Sequence, residues 1–112
     1  MNITVLFKIA PVLTGDAGKY QDLKEALPRI ITEAAEKEAD EEKGISVWHV
    51  DEPTFYGSIQ RADLEIIILG RRLEQDVVEA IAQACRKILP SGSKIRVMAG
   101  VMYMSFAEAV AT

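Results

Sequence analysis

The residues best suited to chemistry sit where an apolar strand turns into a helix: Leu64-Glu65-Ile66-Ile67-Ile68-Leu69, then Gly70-Arg71-Arg72, then an amphipathic stretch from Glu74. Such a corner reads as a ligand-anchoring turn. Arginine suits the task because its rigid planar fork grips a carboxylate through two parallel hydrogen bonds. Arg71, Arg72 and, further along the chain, Arg96 are the candidates for that grip. The plain alternative for Arg71 and Arg72 is a pair of solvated charges at a helix start. Two cations there oppose the helix dipole, so the placement costs a little stability and leaves room for a functional reason.

Other residues carry less. His49 is the single histidine. Strand alternation places it with Asp51 on one face and Glu52 on the other, and no second histidine or paired cysteine completes a shell, so no metal site is expected. Gly15-Asp16-Ala17-Gly18-Lys19-Tyr20 lies between a strand and a helix, as a phosphate loop would, but the spacing is too short and no Ser or Thr follows the lysine. A plain turn is expected there. Cys85 falls on the apolar face of a helix and reads as an inert buried thiol. Met98, Met102 and Met104 read as adaptable packing in the core or at a subunit contact. Trp48, Phe55 and Tyr56 bracket a central hairpin, where they line either a pocket or a subunit contact.

The whole chain bounds these readings. Its 112 residues, 49% apolar and 27% charged, make one globular domain with one core rather than a disordered or membrane protein. No apolar run approaches the ~20 residues that span a bilayer. Met1 to Ala10 lacks the pattern of a signal peptide, and a lone cysteine suits a reducing compartment, so a cytoplasmic location is expected. The net charge is −4, and the run from Glu33 to Lys43, six acids against two lysines, carries an equal amount. It reads as the solvated end of a helix more readily than as a docking tail for a basic partner. With no basic patch elsewhere, nucleic-acid binding has no electrostatic support.

The elements that must position the corner follow one plan twice. Ile3, Val5, Phe7 and Ile9 alternate as in a strand. After Gly15 to Gly18, Tyr20, Leu23, Leu27, Ile30, Ile31 and Ala34 recur at helical spacing, with Pro28 inside the pattern, where it should kink the helix or mark a restart. Ile45 to Val50 is a second strand, and Asp51 to Ala62 a turn or hairpin. Strand Leu64 to Leu69, helix Glu74 to Leu89, a break at Pro90 to Ser93 and strand Ile95 to Ala99 repeat the scheme. The result is an α/β (α+β) layout, βαββαβ: one mixed sheet with both helices on one face, in units of about residues 1–57 and 58–112. Two architectures share that string: two βαβ units related by pseudo-twofold symmetry, or a ferredoxin-like order, common in dimers and isolated domains.

Gly70, Arg71, Glu74 and Gln75 together resemble the strand-to-helix unit of the 4-oxalocrotonate tautomerase superfamily, which includes proteins like macrophage migration inhibitory factor, over roughly residues 62–106. The resemblance implies a tautomerase-like fold of two pseudo-symmetric βαβ units assembled as a homotrimer, with no cofactor. It also implies proton shuttling on small 2-keto acids, with guanidinium groups gripping the carboxylate and stabilising the developing enolate. Arg96 falls where that family has a second ligand-binding arginine, and Phe106 near a following aromatic. The chain departs from the pattern in three places. The family's base is an amino-terminal proline, whereas this chain begins Met1-Asn2-Ile3; Arg61 stands at the proline's place in the second unit; and Met104 to Glu108 lacks a Trp-Gly-x-Gly-like ending. The amine of Met1, with a reference pKa of ~7.7–8.0, is the substitute base the resemblance leaves. The function expected is therefore a small-carboxylate binder or weak keto–enol isomerase. The alternative is a non-catalytic, ferredoxin-like dimeric module that binds a metabolite or a protein.

Overall fold

The computed structural model describes residues 2–9, 17–37, 39–50, 62–100 and 104–111. Among the described residues five strands, β1 (Ile3–Ile9), β2 (Ile45–His49), β3 (Leu64–Leu69), β4 (Lys94–Gly100) and β5 (Met104–Val110), form one sheet in the order β2-β1-β3-β4-β5. Helix α1 (Ala17–Ala34) joins β1 to β2 and helix α2 (Gln75–Cys85) joins β3 to β4. β1 and β2 are parallel, β3 and β4 are parallel, and the two pairs meet antiparallel where Leu6 faces Ile67. A ferredoxin-like order does not pair the first two strands in this way, so that alternative is corrected. The hairpin expected over Asp51 to Ala62 lies almost wholly outside the described residues.

Period-two burial shows why the strands hold. Ile3, Val5, Phe7 and Ile9 are buried while Thr4, Leu6 and Lys8 are half-buried. The same face continues through Leu64, Ile66 and Ile68 into Ile95, Val97 and Ala99, all essentially inaccessible to water. Both helices cover it: α1 packs over β2 and against α2, and α2 lies over β4 and β5. Leu23, Leu27 and Ile31 of α1 and Val78, Ile81, Ala82 and Cys85 of α2 supply the helical half of the core. Burying each of the larger side chains contributes about 1.5–3 kcal/mol.

Three features differ from the sequence reading. β5 adds a strand the alternation did not announce, because its helix-facing residues, Ala107 and Ala109, are poor strand formers; their small size is what lets α2 approach. α2 ends at Cys85 in turns that carry Leu89 back to the core. Pro28 causes no restart, and α1 runs through it as one helix. Thr32, fully buried, donates its hydroxyl to the carbonyls of Pro28 and Arg29 and reaches Glu42 at 3.3 Å.

α1 closes with paired hydrogen bonds, Lys37 N–H to Thr32 O and Glu36 N–H to Glu33 O, which is a Schellman ending. Glu36 takes the left-handed position with φ 55°, where a side chain is strained and glycine is not. Glu36→Gly should raise stability by about 1 kcal/mol in chemical denaturation; an unchanged or lower midpoint would contradict the strain. The acidic run is thus the end of α1, this turn and a 3-10 helix over Ala39–Gly44, with Glu33 and Glu42 both on Arg29.

Candidate functional site

Register decides what meets the Gly70 corner. Thr4 pairs with Leu69 on one side of β1, and Ile3 pairs with Ile45 on the other. The start of β1 is therefore flanked by the exit of β3 into Gly70-Arg71-Arg72 and by the 3-10 helix leading into β2. Gly70 has φ +98°, and a β-carbon there would stand 3.4 Å from the Asn2 carbonyl oxygen. The first fact favours glycine, because the backbone is in its left-handed region; the second shows that the chain lies within van der Waals reach of the corner at Asn2. Arg71 and Arg72 are exposed, while Leu73 is buried and ties the corner to the core.

Beyond Leu73 the first turn of α2 begins. Glu74 occupies the cap with extended backbone and no side-chain cap, and the carbonyl of Glu74 accepts from the N–H groups of Val77 and Val78. Gln75 bonds Glu79 at 3.3 Å. The Glu-Gln pair is thus exposed on the same turn as the arginines. The corner thus stands at the carboxyl end of β3, next to the amino-terminal end of the antiparallel β1.

Across the start of β1, Glu41 of the 3-10 helix is fully exposed. Its carboxyl is held below the usual range, first by the chain's amino group, through a hydrogen bond and charge, and then by Lys37 and Arg71. The sequence held no signal for this. Glu41 read as one acid among six, and it lies four residues before the Ile45 that pairs with Ile3.

No protein-family model, curated protein or solved structure matches this chain.

Arg96 stands elsewhere. It pairs in register with Glu65, five residues before Gly70, which separates it from the corner by roughly 17 Å along β3 at ~3.3 Å per residue. It lies on the face away from the helices, in a cross-strand row Lys8–Glu65–Arg96–Glu108. Its guanidinium is 3.5 Å from Glu65 and 3.6 Å from Glu108, with the side chain only 8% exposed. One chain does not bring Arg96 to Arg71 and Arg72. Phe106 lies on β5 opposite Met98; its side chain, like Met1, is outside the described residues.

Among the described residues no group of three or more His, Cys, Asp or Glu is arranged to hold a metal ion. His49 instead stacks obliquely on Phe7, ring centroids 5.3 Å apart. No helix among those residues is long and apolar enough to cross a membrane. Cys85 is buried, and burial pushes its thiol from the usual 9.0 up to about 12. With three units between folded and unfolded values, the native chain at pH 8 should react with a thiol reagent about a thousandfold more slowly than the unfolded chain. Rapid native labelling would contradict the burial. Because the folded value is raised, the associated stability is full below about pH 9 and is lost as pH rises toward 12.

Proposed function

We propose that the chain is a tautomerase-like protein that binds small carboxylates, 2-keto acids among them, at the Gly70-Arg71-Arg72 corner. The observation that carries the reading is the positive-φ glycine holding two exposed arginines beside the start of β1. The parallel–antiparallel–parallel arrangement of β2, β1, β3 and β4 suits two βαβ units joined back to back. The same reading makes the amine of Met1 the proton acceptor. Abstraction needs that amine neutral, and its reference pKa of ~7.7–8.0 leaves most of it protonated at neutral pH. Binding is accordingly the main activity, and keto–enol turnover slow. Titrating phenylpyruvate into the protein while following its ketonisation tests both parts.

The proposed assembly is a homotrimer in a cytoplasmic setting. Its support is apolar side chains left exposed at the two edge strands of the sheet; Ile67, in the middle of the Trp48–Leu6–Ile67–Met98 row, is only 1% exposed. Trp48 is 61% exposed at the edge of that row and Val110 53% exposed on β5, the kind of surface that copies of a chain cover. A ligand site using both Arg71 and Arg96 would need two copies. Light scattering should give three chain masses, and Trp48→Glu should lower that mass; a monomeric or dimeric wild type would contradict the assembly.

A further inference from the structure

Among the described residues β3 is the middle strand of the sheet, and on the face away from the helices it carries Glu65, Ile67 and Leu69. Ile67 is 1% exposed and stands outside the core cluster that the helices cover, whereas Leu69, two residues on, is 36% exposed. That face is closed at Ile67 and open at Leu69. A lone exposed leucine at the rim of a protein is ordinary, but this one belongs to a middle strand. Its register neighbours, Thr4 on β1 and Gly100 on β4, are small residues and give it little apolar cover. The opening adjoins the corner, because Arg71 follows Leu69 by two residues, at most about 7 Å along the chain.

We propose that Leu69 is the apolar half of the corner site, and that the ligands the corner takes are carboxylates carrying a short alkyl or aryl tail, with the tail laid on the Leu69 side chain. The inference rests on the reading of the corner as a carboxylate site. The two halves act on different ends of one ligand. The exposed guanidinium groups of Arg71 and Arg72 hold the anionic end by charge and hydrogen bonds, and the leucine takes apolar surface of the tail out of water. A carboxylate without a tail keeps only the first contribution. Full burial of a methylene raises affinity about fourfold; a tail resting on one side chain and open to solvent on its other side gains about half of that free energy, or twofold for each methylene.

The test is titration of acetate, butyrate and hexanoate into the full chain, followed by the amide resonances of the corner and the side-chain methyl resonances of Leu69. From acetate to hexanoate affinity should rise about fifteenfold, twofold for each of the added methylenes, and the Leu69 methyl signals should move with hexanoate and not with acetate. Leu69→Thr keeps a β-branched strand former and removes most of the apolar surface. It should bind acetate as the wild type does and hexanoate no more than about threefold better. Should that variant not fold, the wild-type series and the methyl signals still decide. Equal affinity for acetate and hexanoate, both lost in Arg71→Ala, overturns the apolar half and leaves the corner standing. A rise with tail length that persists in Leu69→Thr overturns it too, because the tail then rests elsewhere. If Arg71→Ala binds all three acids as the wild type does, the carboxylate corner fails and the apolar half fails with it.

Discussion

Replacing Arg71 by alanine is expected to weaken carboxylate binding about ten- to a hundredfold, the value of a charge-assisted hydrogen bond worth about 1.5–3 kcal/mol. Folding should be unaffected, because the side chain is exposed and the anchor of the corner is the buried Leu73 next but one. Calorimetric titration of phenylpyruvate, with thermal unfolding measured alongside, separates the two quantities. Arg71→Lys is expected to recover only part of the affinity, since an ammonium keeps the charge but not the bidentate fork. Equal affinity in wild type and Arg71→Ala would show the arginine to be a solvated charge.

Arg96→Ala is expected to have the opposite signature, a loss of about 2–3 kcal/mol in stability. Removing one partner of a buried ion pair costs more than the pair contributes, because the remaining charge is left without compensation. Here Glu65, only 14% exposed at its side chain, would keep its cross-strand neighbour Lys8, and Glu108 is half-exposed. Both moderate the cost below the 3–5 kcal/mol typical of fully buried pairs. Arg96→Met should recover part of the loss by filling the space. Denaturant unfolding checks this, and an Arg96→Ala protein as stable as the wild type would contradict it. Any fall in ligand binding by Arg96→Ala must therefore be read beside its stability.

The two arginines also show what a sequence makes legible. β3 is a run of β-branched and apolar residues between clear breaks, and its bounds Leu64 to Leu69 are readable directly. The Gly-Arg corner adjoins it and needs only local information. Arg96 resembles a ligand residue by spacing alone, yet it stands between Glu65 and Glu108 through strand pairings that join positions 31 and 12 residues apart. Nothing local encodes that ladder. β5 was hidden for another reason: alternating alanines carry little strand propensity but fit closely under α2. Pro28 warned of an interruption that tertiary packing overrides, with Leu27 and Ile31 on either side of it fully buried.

The central claim, that the Gly70-Arg71-Arg72 corner binds carboxylates, is tested most directly by following backbone amide resonances while phenylpyruvate is added. The account predicts saturable shifts confined to Asn2 and Gly70 to Leu73, abolished in Arg71→Ala. Saturable shifts elsewhere, or none at the corner at millimolar ligand, would contradict it.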